Sequence, residues 1–311
     1  MTPNTSTKLP VVSHRILKTS DWFHADGFPI AVERRQPQAP FPLHAHEFSE
    51  LVIITGGSGL HVTGGRAYPL AAGDVFVISG GRPHTYAQLR HLCLVNLLYQ
   101  PEKLPWPWAD LPALAGYHAL FTLEPAWRRR HEFKSRLHLR PDELRQVLAL
   151  IDLLEAELQQ RAPGFACMAT AAFMQIIGFL SRCYSRSWNP DARALLRIAE
   201  TITHLETHYR EPVHLDTLAR LARMSKRSFL RAFHAATGTT PIAYLLQLRL
   251  NHAAHLLRHS SLNITEIAFA TGFNDSNYFT RQFRQRFGLS PRQWRQQHRP
   301  PAATLPDFQR A

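Results

Sequence analysis

The feature that most constrains this chain is an internal repeat close to its C-terminus. The first copy, LDTLARLARMSKRSFLRAFHAATGTTPIAY, covers residues 215–244, and the second, ITEIAFATGFNDSNYFTRQFRQRFGLSPRQW, covers residues 264–294. Each copy has the pattern of a short amphipathic helix, a tight turn and a second helix that ends at a glycine. The repeat therefore predicts two helix-turn-helix units in an all-α C-terminal domain.

Small and aromatic residues recur at matching places in both copies. Ala219 and Ala268 are small enough to let the second helix of a unit cross the first closely. After a one-residue insertion in the second turn, the remaining repeated residues pair as Phe229 with Phe279, Phe233 with Phe283, Gly238 with Gly288, and Pro241 with Pro291. Phenylalanines four residues apart share one helix face, so this face is predicted to hold each second helix on the core.

The opposite helix face carries side chains suited to base edges, namely Arg227 and Arg231 in the first copy and Asn277, Thr280 and Arg281 in the second. Charge agrees with DNA binding, because residues 191–311 contain 17 Lys+Arg and 8 Asp+Glu, whereas the rest of the chain contains 19 and 15. The alternative is a structural helical repeat with solvated charges from an arginine-rich genome. Two basic copies favour DNA binding over that alternative.

These motifs resemble the AraC family of transcription regulators. The segment GFNDSNYFTRQFRQRFGLSPRQWR is similar to that family's C-terminal signature, and the resemblance covers residues 195–297. It implies two helix-turn-helix units joined by a long helix, about Pro241 to Arg258, with double-stranded DNA, RNA polymerase and a second copy of the chain as partners. By motif position it also implies a set of base-reading residues, which are Arg227, Leu230, Arg231, Ser276, Asn277, Thr280 and Arg281. Leu230 departs from the polar residue often found at its position in the family.

Residues 11–100 have the pattern of β-structure. Short apolar runs are separated by glycine pairs at 56–57 and 64–65, where positive φ angles are often required. The predicted runs are Glu50–Thr55, Gly59–Thr63, Asp74–Ser79 and Leu92–Tyr99. Several short strands at this spacing predict a sandwich or a small barrel, whereas residues 101–140 give no clear assignment.

Four residues of this region, His44, His46, Glu50 and the later His84, resemble the cupin motif. In that motif the side chains converge inside a barrel, and such a set is suitable for Fe, Mn, Ni or Zn. The alternatives are contact with a small organic effector, or packing without a ligand. We expect effector contact with no resident metal or cofactor. The resemblance adds Tyr86, which matches an effector-facing position in arabinose-type sensors. Asn96, a polar residue within an apolar run, is a sixth candidate for effector contact, with a satisfied core amide as the alternative.

The segments HEFSELVIITGGSGLHVTGGRAYPLAAGDVF and LVNLLYQPEKL look like the L-rhamnose operon regulators within the family, over roughly residues 40–105. This resemblance implies a transcription activator that responds to a small sugar, with L-rhamnose first among the candidates. Two alternatives stay open: a metal-dependent cupin enzyme fused to a DNA-binding domain, and a regulator that senses a non-sugar ligand or none. The sequence has no nucleophile–base pair or phosphate loop, so we do not expect an enzyme.

Two helices are predicted between the halves. The first begins near Pro141, and its apolar residues form a heptad stripe of Leu144, Val147, Ile151, Leu154 and Leu158. The stripe is either a dimer seam or the face that packs on the barrel. The second, about Phe165 to Arg182, overlaps the uncharged segment Ala162–Ser181, whose dense apolar part is short for a membrane span. It is therefore predicted to be a buried helix.

The whole chain is predicted to be an α+β protein in which a cupin-like barrel precedes the DNA-binding domain. The predicted divisions are a sensor at 1–140, a helical dimerisation segment and linker at 141–190, the double helix-turn-helix domain at 191–298, and a disordered tail at 299–311. Three cysteines without CxxC pairing and a polar N-terminus indicate reduced thiols in the cytoplasm rather than secretion or a membrane location.

Overall fold

Two long strands organise the N-terminal half of the chain in the computed structural model, which describes residues 14–104, 110–127 and 136–298. One of them covers Ser49–Thr63 and the other His84–Tyr99. The strands in chain order are β1 (Arg15–Leu17), β2 (Ile30–Arg35), β3 (His44–His46), β4 (Ser49–Thr63), β5 (Arg66–Ala71), β6 (Asp74–Ile78), β7 (His84–Tyr99) and β8 (Leu137–His138).

These strands form one eight-stranded sheet in the order β1-β3-β7-β4-β6-β8, with β2 also paired to β7 and β5 to β4. The pairing of β4 with β7 runs antiparallel from Ser49 opposite Tyr99 to Thr63 opposite His84. The sheet is built almost wholly from antiparallel pairs, and only β1 and β3 run parallel. This β-rich sensor half and the helical C-terminal half confirm the predicted α+β class.

The prediction of two separate strands at Glu50–Thr55 and Gly59–Thr63 was wrong, because β4 runs through both segments. Its register against β7 shifts three times between Ile54 and Leu60, which is the signature of β-bulges. Gly57 has a φ of 67°, and a Cβ there would lie 2.0 Å from the carbonyl oxygen of His91. Glycine at this position therefore lets the strand bend instead of ending it.

The glycine pair at 64–65 forms the turn between β4 and β5, as predicted. Gly64 and Gly65 have φ angles of 58° and 74°, as a two-residue turn that matches the twist of the strands requires. Alternate residues of β4, β6 and β7, such as Val52, Phe76 and Leu94, are buried and form a core on one face of the sheet. The hairpin and this core hold the long strands in one register.

Along the chain, helices lie between some of the strands and after the last of them. The helices of the sensor half are α1 (Thr19–Trp22), α2 (Ala115–Tyr117), α3 (Glu124–Trp127), α4 (Pro141–Gln160) and α5 (Phe165–Ser185), together with 3₁₀ turns at Pro101–Lys103 and Leu111–Ala113 and a π-helical segment at His118–Leu123. Pro141 occupies the first turn of α4, where its missing N–H costs nothing.

The apolar stripe of α4 packs within its own domain. Val147, Ile151 and Leu154 are completely buried. Beside the stripe, Arg34 of β2 reaches Asp152 at 2.5 Å and Glu155 at 2.7 Å. Because the middle of the stripe is already covered in a single chain, these three residues cannot form a dimer seam. The packing alternative is the one that the structure supports.

Helix α5 is long and apolar enough by composition to cross a membrane. One face of it is buried, however, and includes Phe173, Ile176 and Leu180, each without exposed surface. This face packs with α4, whereas Met168 on the other side is exposed. The contacts support the prediction of a helix packed inside the protein.

The C-terminal half is helical throughout its described part, and its helices are α6 (Pro190–Thr207), α7 (Leu215–Leu221), α8 (Lys226–Thr237), α9 (Pro241–His259), α10 (Ile264–Ala270), α11 (Ser276–Phe287) and α12 (Pro291–His298). Ser225 caps α8 and Asp275 caps α11 by accepting backbone N–H bonds. Gly238 and Gly288 end the same helices in left-handed conformation, as predicted.

The chain divides into two compact units, residues 1–196 and 197–311, so the division falls inside α6 after Leu196. The predicted boundary after residue 190 coincides instead with the first turn of α6, which begins at Pro190. Only residues 186–189 separate α5 from α6. The predicted tail 299–311 lies outside the described residues.

Candidate functional sites

The second helix of the first unit, α8, separates its apolar and basic side chains cleanly. Phe229 and Phe233 are fully buried, whereas Arg227 and Arg231 are exposed on the other side of the helix. Leu230 lies half-buried beside them. Two arginines one turn apart form a surface of the kind that enters a major groove and contacts guanine edges.

Helix α11 repeats this arrangement in the second unit. Phe279 and Phe283 are buried, and Asn277 and Arg281 are exposed. Ser276 and Thr280 are both half-buried. The Thr280 hydroxyl donates to the carbonyl oxygen of Ser276 at 2.8 Å, so its proton is already engaged within the helix.

The start of α11 is fixed by Asp275. Its carboxylate accepts the backbone N–H groups of Asn277 at 2.6 Å and Tyr278 at 2.9 Å. These bonds hold the pKa of Asp275 below its ordinary value, so the cap remains ionised. The cap orients Asn277 in the first turn. Two further exposed residues lie one turn along these helices, His234 on α8 and Arg284 on α11, and the sequence analysis did not single them out.

A cavity in the sensor half contains all six predicted effector residues. It encloses about 460 Å³ of space free of atoms, part of it open to solvent. Its walls come from β1, α1, β2, β3, β4 and β7, and the lining residues are Leu17, Trp22, Glu33, Arg35, Gln38, Phe41, His44, His46, Phe48, Glu50, His84, Tyr86, Asn96 and Leu98. The residues of the cupin-like motif therefore line one concave site together with Tyr86 and Asn96.

A buried polar cluster forms one end of the cavity. His46 Nε2 lies 3.1 Å from Glu50 Oε2, and His84 Nε2 lies 3.5 Å from the same oxygen. Burial alone would raise the pKa of the Glu50 carboxyl, but its contacts with His46 and His84 outweigh burial and hold that pKa well below the ordinary value. Burial, followed by the nearby His84, lowers the pKa of His44 to about 4.

The cavity lining also includes polar groups that sequence reasoning missed. Glu33 and Arg35 of β2 form an ion pair at 3.1 Å, and the Arg35 guanidinium lies 5.7 Å from the centre of the Trp22 ring. Asn96 is directly opposite Glu33 in the ladder between β2 and β7. The Asn96 Oδ1 atom is buried and has no hydrogen-bond partner. A lining that combines polar groups with aromatic rings suits a small polar ligand with an apolar face.

The fold family raises the question of a metal. Among the residues that the structure describes, one group of three combines the right atoms at short range, and it consists of His46, Glu50 and His84, with ligand atoms within 4.8 Å of one another. Two imidazole nitrogens and a carboxylate oxygen fit a divalent transition-metal ion. His44, the fourth member of the motif, does not belong to this group, although its ring centre lies 4.2 Å from that of His84.

Comparison with known proteins identifies the class of domain in each half of the chain. A family model described as an AraC-like ligand binding domain matches residues 29–177, and one described as a helix-turn-helix domain matches residues 218–297. A ligand-binding domain joined to a double helix-turn-helix domain defines a DNA-binding transcription regulator. Its relatives include the HTH-type transcriptional activator RhaS of Enterobacter sp. (strain 638), which is 34% identical over 90% of this chain and 97% of that protein. The chain belongs to the AraC family of transcription regulators.

A second relative is the HTH-type transcriptional activator RhaR of Escherichia coli (strain K12), 35% identical over 91% of this chain and 98% of its own length. Among solved structures, a transcriptional regulator with an AraC-type DNA-binding domain from Chromobacterium violaceum is 34% identical, covering 34% of this chain and 94% of that one with a TM-score of 0.32. The two activators match the chain across both halves.

Proposed function

We propose that this protein is a transcription activator of a sugar-catabolic operon and that its effector is a small sugar, with L-rhamnose as the first candidate. The observation that carries the proposal is the convergence of His44, Glu50, His84, Tyr86 and Asn96 on one cavity in a chain that also has two reading helices. Sugars are recognised by hydrogen bonds to their hydroxyl groups and by aromatic rings against their apolar faces. The cavity offers both.

On the DNA side, the proposal assigns base contacts to residues of α8 and α11. Arg227 and Arg231 would read guanine, Asn277 adenine, and Arg281 guanine. Leu230 and the Thr280 methyl group would contact thymine methyl groups, and Ser276 would contribute a hydroxyl. Because the reading helices belong to tandem units, each chain would contact two major-groove segments about one helical turn, roughly 34 Å, apart.

The proposal also includes a homodimer, contact with RNA polymerase and a cytoplasmic location. Both relatives are called transcriptional activators, and activation requires polymerase. Since Val147, Ile151 and Leu154 are covered within one chain, a dimer has to use other surfaces. Sedimentation of the purified protein, with and without DNA, tests the oligomeric part separately.

The central experiment joins the two sites. Genomic fragments selected by the purified full-length protein would provide the operator and the neighbouring operon. Binding to that operator would then be measured by fluorescence anisotropy over a panel of monosaccharides, with thermal unfolding as the second readout. We expect one sugar to raise both the unfolding midpoint and the operator affinity. Operator binding without any response to sugars would overturn the effector assignment and leave the DNA assignment intact.

A control variant belongs in the same experiment. Asn96→Leu removes a buried polar atom from the cavity wall without touching the reading helices. We expect this variant to bind the operator as the wild type does in the absence of sugar and to lose most of the sugar response. A full response in Asn96→Leu would remove Asn96 from the effector site.

A further inference from the structure

The two helix-turn-helix units have different residues at one equivalent place in their turns. After α7 the backbone is left-handed at Arg223, and after α10 it is left-handed at Gly272, with φ angles of 54° and 86°. The places are equivalent because the next residue, Met224 or Phe273, donates its N–H at 3.0 Å to the carbonyl oxygen of the small alanine in the preceding helix. Arg223 adopts this conformation with its side chain exposed. The left-handed angle alone therefore does not require a glycine here.

A close neighbour distinguishes Gly272 from Arg223. A Cβ on Gly272 would lie 2.8 Å from the carbonyl oxygen of Arg210 and 2.9 Å from its Cα, which is too close for any side chain. Arg210 belongs to the turn at 209–211, which follows α6. The backbones of this turn and of the turn before α11 are therefore in direct contact, and only glycine permits that approach.

Arg249 of α9 holds the turn after α6 in place. Its Nε atom donates to the carbonyl oxygen of Tyr209 at 2.7 Å, and its Nη2 atom donates to that of Glu211 at 2.9 Å. These two carbonyl groups flank Arg210, so one guanidinium fork fixes the middle residue of the turn. The ring of Tyr209 also stacks on that of His252, with ring centres 4.0 Å apart and planes at 4°.

The other side of the contact is joined firmly to the second reading helix. Phe273 is buried, and its ring centre lies 5.1 Å from that of Phe279 on α11. Asp275 caps the same helix. Gly272 and the base-reading candidate Arg281 line one surface cleft. A displacement of Gly272 would therefore move the start of α11 and its reading residues.

We propose that the turn at 209–211 braces the second reading helix, and that Gly272 and Arg249 are positioning residues for base reading by α11. Contacts with base edges require the reading side chains to be held within about 0.5 Å of their productive positions. The equivalent place in the first unit carries the exposed side chain of Arg223, so the brace acts on α11 and not on α8. Base reading by α11 is part of the proposed function, and the positioning role rests on it.

Two glycine variants separate the contact from backbone strain. Gly272→Ala and Gly238→Ala both place a Cβ at a positive φ, 86° and 76°, but nothing lies within 4 Å of a Cβ at Gly238. Each full-length variant selects DNA from an operator library in which both contacted segments are randomised. The segment read by α11 is the one whose base preference Arg281→Ala removes.

The expected result is a loss confined to one segment. Gly272→Ala should lower the base preference in the α11 segment by at least about fivefold, the loss of one good base contact, and leave the α8 segment unchanged. Gly238→Ala should select the α11 segment as the wild type does. Loss of general stability would instead weaken the selection of both segments together.

Arg249→Lys tests the same brace while keeping the backbone and the net charge. A lysine ammonium does not reproduce the guanidinium fork that donates to both carbonyl groups, so preference in the α11 segment should again fall at least about fivefold. Arg258→Lys, at an exposed position of α9, is the matched control and should behave like the wild type. This pair retains the test if Gly272→Ala does not fold. Undiminished preference in the α11 segment of either folded variant, or an equal loss in both segments, would overturn the proposal.

Hydrogen exchange without DNA separates the brace from the proposed function. In Arg249→Lys the amides of residues 273–279 should exchange faster than in the wild type, because local opening is easier, whereas those of α8 should not change. Faster exchange there in a protein whose wild type shows no base preference would support the brace and contradict base reading by α11. Unchanged exchange at 273–279 would contradict the brace whatever DNA is selected.

Discussion

At the residue scale, the exposed face of helices α8 and α11 and the cavity differ in the extent to which their side chains are buried against other polar groups. Arg231 on α8 and Arg281 on α11 are exposed to solvent, whereas the residues of the buried polar cluster, His46, Glu50 and His84, are buried against one another. Exposed arginines gain most of their bonds when DNA binds. Buried polar groups must be satisfied within the cavity, either by one another or by a ligand. Under the proposed function, the first kind of residue would set base preference and the second would set ligand chemistry.

Base reading by these arginines can be measured directly. Arg231→Ala and Arg281→Ala should each weaken operator binding by about 1–3 kcal/mol and barely affect binding to random DNA. Anisotropy titrations on both kinds of DNA, over a range of salt concentrations, provide the comparison. The salt dependence should be steep in all variants because phosphate contacts release counterions. Equal losses on operator and random DNA would mean that these arginines contact phosphates.

A pH effect on stability is expected from a residue outside both sites. His118 is buried, and its Nε2 donates to the carbonyl oxygen of Pro112 at 2.9 Å. Burial lowers the pKa of His118 from 6.5 to about 4. Unfolding restores the ordinary pKa, so between pH 6.5 and about 4 the unfolded chain binds more protons than the folded one, and stability decreases as the pH is lowered through this range.

The size of that effect follows from the linkage relation, which gives about 1.4 kcal/mol per pH unit across the window, or about 3 kcal/mol in full. His118→Gln cannot lose stability in this way. The difference in unfolding free energy between wild type and His118→Gln should therefore shift in favour of the variant as pH is lowered from about 7 to about 5, by about 2 kcal/mol. Urea unfolding at both pH values measures it, and an unchanged difference would show that water reaches His118.

At the element scale, the parts that sequence reasoning predicted well are those with local signals. Each of the helices α8 and α11 is marked by a phenylalanine pair four residues apart and by a glycine at its C-terminal end. These signals lie close together in the sequence of each helix. Strand β2 has no such signal, and Glu33 reaches the cavity only because β2 pairs with β7, which places it opposite Asn96. The polar wall of Glu33, Arg35 and Gln38 therefore depends on long-range pairing that neither composition nor periodicity reveals.

The ambiguous stripe of α4 illustrates the same limit. A heptad pattern of apolar residues predicts a buried face but does not identify its partner. Ile151 is covered within the chain, so Ile151→Asp would bury an unpaired charge and should destabilise the sensor unit by more than about 4 kcal/mol. Leu153→Asp, on the exposed side of α4, is the matched control and should change stability little.

Circular dichroism and sedimentation distinguish the outcomes of that pair. We expect Ile151→Asp to lose its cooperative unfolding transition in the sensor unit, and Leu153→Asp to melt like the wild type. A well-folded Ile151→Asp protein that had merely become monomeric would contradict the packing of α4 within the chain and restore the seam.

At the scale of the whole molecule, the division of the chain into two compact units makes sensing and reading separable. The second helix-turn-helix has its own apolar core, which includes Leu250, Ile267, Phe279 and Phe283. Such a unit can fold without the sensor. The division falls within α6, so this helix is the covalent connection between the two units.

This separation leads to the final prediction. A fragment that begins at Pro190, and so retains the whole of α6, should fold and bind the operator with no dependence on sugar. The full-length protein should bind the same DNA with an affinity that the sugar changes by roughly 5–150-fold, since an effector shifts a two-state equilibrium only by its differential affinity, typically 1–3 kcal/mol. Anisotropy titrations of both proteins, with and without saturating sugar, measure the two quantities together. A fragment that fails to bind would show that the sensor is needed to assemble the reading surface, and a fragment that responds to sugar would place the effector site outside the sensor cavity.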